Sequence, residues 1–303
     1  MIDVRRVAVL REVARLGSFN QAATALRLTP SAVSQQIAAL ERELGTHVVL
    51  RSTRGVELTE AGRVLVEAGE AIAADLSRAE REIARLGTVD SLTVATFTSG
   101  GQRLLPAALT RFAAERPGVD LTVLENEPED ALPLVRSGAA DLALVYHFDE
   151  VPPVRPGDRS GLTYRPLLED PMWIVFPAAH PLAGRESVTI ADLAGERWVH
   201  GCLRIVDMLG HYAAMAGFEI RTACRGTDYI FAQSLVQAEV GISMIPQVAL
   251  TAGAQPGLAT VPLAPPCPCR YIGVVTPSRR THPLADALIQ ALHDTVAALP
   301  VPA

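Results

Sequence analysis

The stretch SFNQAATALRLTPSAVSQQIAALERELG, residues 18–45, decides how the N-terminal part of this 303-residue chain folds. Thr29-Pro30 announces a helix, because Thr is a good N-cap and Pro at the first helical position lacks only an N–H that would have no partner there. From that point Val33, Ile37, Leu40 and Leu44 recur at steps of four, three and four, which makes one buried stripe, and Gly45 stops the helix. The other face is small and polar. Thr29, Pro30, Ser31, Ser34, Gln35 and Gln36 would meet DNA if this helix entered a major groove, since their side chains reach base edges or phosphates without blocking entry. The plainer alternative is a solvated helix face. Upstream, Val4 to Leu16 reads as a helix ended by Gly17, and Gln21 to Leu26 as a short Ala-rich helix capped by Ser18 or Asn20, with Arg27-Leu28 as the turn before Thr29.

Downstream, His47 to Arg51 and Val56 to Leu58 are two short β runs around a turn. With Arg51 and Arg54 beside phosphate or minor groove, this pair has the form of a wing. Thr59 to Leu86 is then one long helix whose Ala61, Leu65, Ala68, Ile72, Leu76, Ala79, Ile83 and Leu86 form a heptad-like seam. A helix of that length, polar on most of its surface, gains most by pairing with a second copy; packing on its own domain is the alternative.

Beyond a short linker at Gly87 to Asp90, strands alternate with helices. Strands are expected at Ser91–Ala95, Val119–Glu125 and Leu142–Tyr146, with helices at Arg103–Glu115 and Ala131–Ser137 and a polar loop at Thr96–Gly101. A second set has strands Met172–Phe176, Arg197–Val199, Ile220–Cys224 and Ile242–Pro246, with helices Ile205–Ala216 and Ile230–Glu239. Strand Tyr271–Thr276 and helix Leu284–Leu299 close the chain. The pattern predicts an α/β region of two lobes, crossed near Tyr164–Leu168 and Pro265–Arg270. The expected division is 1–58 for a DNA-binding head, 59–87 for a linker helix and 88–303 for the two-lobed α/β region. Its first lobe covers about 91–165 and 270–303, its second about 166–269.

Net charge is −6, but its distribution separates the two ends. Residues 1–58 carry eight Arg against five acids, and 88–303 carry fifteen Arg against twenty-two. DNA would attract the head and repel the body. No run approaches the roughly 20 apolar residues that span a bilayer, and the N-terminus lacks a signal-like apolar block, so a cytoplasmic location and no membrane partner are expected. Four cysteines at 202, 224, 267 and 269 are too few for a disulfide framework and match no zinc spacing. Neither metal nor cofactor is expected. No nucleophile elbow, phosphate-binding fingerprint or convergent acid–base set is present, which argues against an enzyme.

The segment from about residue 4 to 70 closely resembles the N-terminal domain of LysR-type transcriptional regulators. A Gly-Ser-Phe turn at 17–19, Ala22-Ala23, the run SAVSQQI at 31–37, LERELG at 40–45 and LTEAG at 58–62 stand at the separations that family shows. One departure is Val49-Leu50 where the family commonly has Leu-Phe; both pairs fill the same core position. The resemblance implies a winged helix-turn-helix, a dimerising linker helix and a two-lobed effector domain resembling periplasmic binding proteins. It further implies double-stranded promoter DNA and a small-molecule effector as partners, a homodimer or homotetramer, and RNA polymerase as a further contact.

The effector itself is not transferable by resemblance. Strand ends and helix N-termini facing the cleft between lobes would line its site, which points to Thr98, Ser99, Tyr146, Cys202 and Thr227, with His147 beside Tyr146 at the same strand end. The plainer alternative is that the hydroxyls cap helices. Cys202 invites a redox reading, because some LysR-type proteins sense peroxide through a thiol pair, against which stands a small buried side chain with no second cysteine near in sequence. Cys267-Pro-Cys269 reads as a hinge loop.

Overall fold

The computed structural model describes residues 2–52, 55–85, 90–148, 151–155, 161–250, 255–278 and 282–299. Its head opens with three helices, α1 (Val4–Leu16), α2 (Phe19–Leu26) and α3 (Pro30–Leu44). Each starts at a side-chain cap. Asp3 accepts from Arg5 N at 2.9 Å, Ser18 from Gln21 N at 3.4 Å and Thr29 from Ala32 N at 3.2 Å. Ser18 is therefore the cap of α2, and Asn20 lies inside the helix. Gly17 and Gly45 end α1 and α3 at φ of 62° and 68°, the left-handed geometry that a glycine adopts without strain.

Val33, Ile37 and Leu40 of α3 bury against Leu10 and Val13 of α1 and Ala22 and Ala23 of α2. Each large side chain so buried contributes about 1.5–3 kcal/mol. Strands β1 (Val49–Ser52) and β2 (Gly55–Leu58) pair antiparallel, with Arg51 opposite Val56. Helix α4 runs from Glu60 to Arg85, and Leu65 and Val66 in it pack against the head core. Leu86 lies outside the described residues.

The second compact unit begins with β3 (Ser91–Thr96), α5 (Thr98–Arg103), α6 (Leu105–Glu115), β4 (Asp120–Glu125), α7 (Pro128–Ser137) and β5 (Leu142–Phe148). Strand β6 (Leu162–Pro177) follows, then β7 (Arg197–His200), α8 (Ile205–Met215), β8 (Arg221–Arg225), α9 (Tyr229–Gln237), β9 (Ser243–Pro246) and α10 (Gln247–Leu250). The chain closes with β10 (Leu258–Pro262), β11 (Cys269–Pro277) and α11 (Pro283–Ala297). Among the described residues seven strands join in one sheet, in the order β10-β6-β11-β5-β3-β4 with β9 also on β6. Strand β3 is parallel to β4 and β5, whereas β11 is antiparallel to β5.

Two cores flank the crossing strands. One gathers Leu92, Phe112, Leu144, Ile272 and Leu288, and the other Ile174, Phe176, Trp198, Leu209 and Met244. Three expectations need correction. The polar stretch from Thr98 is not a loop but helix α5, with Gly101 N bonded to Phe97 O at 2.8 Å. A Cβ on Gly100 would stand 2.7 Å from the Phe97 ring and 2.8 Å from Leu144, so the glycine serves close packing. Second, the strand expected at Met172–Phe176 starts ten residues earlier, so that 164–168 lies within the single 16-residue strand β6. Third, β10 and α10 add a strand and a short helix that the sequence pattern does not announce.

Candidate functional site

Helix α3 presents the residues expected at DNA on the face opposite its buried stripe. Thr29, Pro30, Ser31, Gln35 and Gln36 are exposed and Ser34 is half-buried. Thr29 Oγ1 is partly committed, because it caps Ala32 N and lies 3.0 Å from Ser31 Oγ. The helix N-terminus stays accessible, where unpaired N–H groups suit a phosphate. Arg51 belongs to β1, but its side chain, like all of Arg54, lies outside the described residues.

The five residues expected at an effector do converge. Thr98, Ser99, Tyr146, Cys202 and Thr227 line one cavity of about 30 Å³, with Gln102, Glu127, Tyr229 and Arg270 among its other walls. A volume of that size admits a molecule of only a few atoms. Helix α5 brings Thr98 and Ser99, β5 brings Tyr146, the turn after β7 brings Cys202, and the turn before α9 brings Thr227.

The polar network within it has no counterpart in the sequence reading. Arg270 on β11 is 1% exposed and Asp170 on β6 is 0% exposed, and they pair through Nε at 2.7 Å and Nη2 at 2.6 Å. Asp170 Oδ1 accepts from Val248 N at 2.8 Å, and Arg270 Nη1 donates to Ser99 Oγ at 3.0 Å. The guanidinium carbon lies 5.2 Å from the ring centroids of both Phe97 and Tyr146, which adds cation–π attraction. Ser99 thus accepts from a fixed partner, and Thr98 Oγ1 donates to Glu125 Oε1 at 2.6 Å.

Tyr146 Oη donates to Glu127 Oε2 at 2.6 Å and lies 3.6 Å from Cys202 Sγ. Burial, then the neighbouring Cys202 and Glu127, push its phenol far above the usual range, so it remains a donor. Burial likewise raises the Tyr229 phenol. Cys202 is half-buried and reaches the cavity while its other side touches the second core, so it is not sealed inside. Cys267 and Cys269 differ from it. Their thiols lie 3.5 Å from the carbonyls of Leu263 and Arg270, and burial pushes both pKa values up. Among the described residues no group of His, Cys, Asp or Glu could hold a metal ion, and no helix is long and apolar enough to cross a membrane.

A helix-turn-helix with an open polar face, followed by an α/β region around a polar cavity, defines a ligand-responsive DNA-binding regulator. The chain matches the family model "Bacterial regulatory helix-turn-helix protein, lysR family" over residues 4–63 and "LysR substrate binding domain" over residues 86–297, and it belongs to the LysR family of transcriptional regulators. That family reads DNA and does not catalyse a reaction. A probable hydrogen peroxide-inducible genes activator of Mycobacterium avium is 34% identical over 87% of this chain and 84% of that protein. The DNA-binding transcriptional dual regulator OxyR of Escherichia coli is 28% identical over 95% of both. Among solved structures, full-length BenM superposes with a TM-score of 0.59 at 19% identity, over 97% of each chain. A cysteine-to-serine mutant of Corynebacterium glutamicum OxyR, in its H2O2-bound form, does so with a TM-score of 0.55 at 25% identity, over 98% of this chain and 96% of that one.

Proposed function

We propose that this regulator grips double-stranded promoter DNA with Thr29, Pro30, Ser31, Ser34, Gln35 and Gln36 of α3 and with Arg51 and Arg54 of the wing. It works in the cytoplasm as a homodimer or homotetramer joined along α4. A small effector enters the cavity of Thr98, Ser99, Tyr146, Cys202 and Thr227, and its binding changes how the heads meet the promoter and RNA polymerase. In this reading residues 1–58 are the head, 59–87 the linker helix and 88–303 the effector domain, with lobes at about 91–165 plus 270–303 and about 166–269. The observation that carries it is the exposed polar face of α3 opposite the buried Val33, Ile37 and Leu40. Footprinting on the DNA beside the protein's own gene tests it. Gln35→Ala should weaken specific binding by roughly 1–3 kcal/mol, and equal affinity of variant and parent would remove Gln35 from the interface.

A second reading concerns the effector. A cavity of about 30 Å³ lined by the half-buried Cys202, with a tyrosine hydroxyl 3.6 Å from its thiol, suits hydrogen peroxide better than a metabolite. The relatives named for hydrogen peroxide support it. In that chemistry the Cys202 thiolate attacks one peroxide oxygen; the S–O bond forms, the O–O bond breaks, and a sulfenic acid and hydroxide result. Dimedone labelling followed by peptide mass spectrometry should find the adduct on Cys202 after peroxide treatment. Labelling confined to Cys224, Cys267 or Cys269 would refute it.

A further inference from the structure

Successive residues of a strand face opposite sides of a sheet. At the crossing, three neighbouring strands carry such pairs: Tyr146 and His147 on β5, Asp170 and Glu169 on β6, and Arg270 and Tyr271 on β11. Tyr146, Asp170 and Arg270 build the cavity network described above. His147, Glu169 and Tyr271 line a second cavity, of about 510 Å³, on the other face. His147, a strand-end neighbour of Tyr146, therefore belongs to this cavity and not to the first.

The second cavity is built largely of rings and alkyl surface. His147 stacks on Tyr271 with centroids 5.3 Å apart and 18° between planes, and meets Tyr164 edge-on at 5.5 Å and 72°. The Tyr164 ring lies tight on the β11 backbone: a Cβ on Gly273 would stand 2.3 Å from its Cε2, so only glycine there leaves the ring its place. Pro152, Leu167 and Leu168 add apolar wall. Tyr164 Oη is buried without a hydrogen-bond partner among the described residues, and burial pushes the phenol up to about 12. The one charged residue among the lining residues is the exposed acid Glu169, and no arginine is among them. The volume falls within the range of small-molecule sites.

We propose that this cavity is a second ligand site, separate from the first, for a small aromatic amine. Its ring packs among His147, Tyr164 and Tyr271, and its ammonium is held by the tyrosine faces and Glu169. Neutral analogues bind more weakly and carboxylates weakest.

The test is isothermal titration calorimetry on the purified full-length protein with phenethylamine, phenethyl alcohol and phenylacetate, which share a ring and differ in charge. Phenethylamine should bind saturably and phenylacetate several-fold more weakly. Pro152→Trp, which places an indole against the cavity, should weaken phenethylamine at least tenfold. Hydrogen–deuterium exchange of the parent protein with phenethylamine should show added protection in peptides spanning 145–152, 164–169 and 270–273. That map decides the matter even if the variant folds poorly. No saturable binding of phenethylamine, tightest binding of phenylacetate, or protection confined to peptides around 98–103 and 201–204 would overturn the proposal.

Discussion

Arg270→Met removes the cation from the buried pair while keeping an unbranched apolar side chain in its place. Asp170, 0% exposed, would keep Val248 N at 2.8 Å but lose both contacts with the guanidinium, at 2.6 and 2.7 Å. Breaking a buried ion pair by removing one partner costs about 3–5 kcal/mol, because the remaining charge is left without compensation. For a unit of this size each kcal/mol lowers the melting temperature by roughly 2–4 °C, so a fall of about 6–20 °C is expected. Ser99 also loses its fixed donor, and two aromatic rings lose their cation. The double variant Arg270→Met with Asp170→Asn deletes both charges yet keeps an acceptor for Val248, and should regain about half of the loss or more. Tryptophan fluorescence during urea unfolding reports on the right region, since Trp173 and Trp198 both lie in the effector half. A single-variant cost under about 1 kcal/mol, or a double variant no better than the single, would refute the claim that this pair is ionic and holds the cavity together.

Two further outcomes follow from the same geometry. Burial, with Arg225 adding to it, lowers the His200 pKa below 6.5, so the folded state resists protonation that the unfolded state accepts. Stability from this group is complete above about pH 6.5 and is lost as pH falls from there through the folded pKa; thermal melts between pH 7.5 and 5 should show that decline, and His200→Gln should flatten it. On α4, Ile72, Leu76 and Ile83 are 39%, 58% and 67% exposed, an apolar seam with room for a second helix. Leu76→Glu should shift sedimentation velocity toward monomer at concentrations where the parent associates; an unchanged profile would place the oligomer contact elsewhere.

The head is legible because its signals are local. Thr29-Pro30, Gly45 and the four-three-four stripe each act within one or two turns, and the structure places cap, stop and core where those residues stand. Strand β6 is longer than its apolar run suggests: Pro166, Pro171 and the acids Glu169-Asp170 interrupt that run, although β9 and β10 flank Trp173, Ile174 and Val175 on opposite sides and β11 pairs with β6 as well. Helix α5 reads as a loop because two glycines normally weaken a helix, while here Gly100 admits the Phe97 ring. The cavity's five expected residues could be found from strand ends and helix starts. Its central pair could not, since Asp170 and Arg270 are a hundred residues apart. The one hint was a charge entering an apolar strand, as Arg270 does before Tyr271-Ile272-Gly273-Val274-Val275.

The central claim is that the basic head binds promoter DNA in the manner of a winged helix-turn-helix. Its most direct test is a salt titration of binding to a fragment from beside the protein's own gene, read by fluorescence anisotropy. If Arg51, Arg54 and the start of α3 neutralise several phosphates, log affinity falls linearly with log salt, with a slope of about −0.9 for each phosphate contacted, and exchanging Arg54 for Ala reduces that slope by about one contact. An affinity that does not respond to salt, or the same slope in the Arg54→Ala protein, would contradict the account.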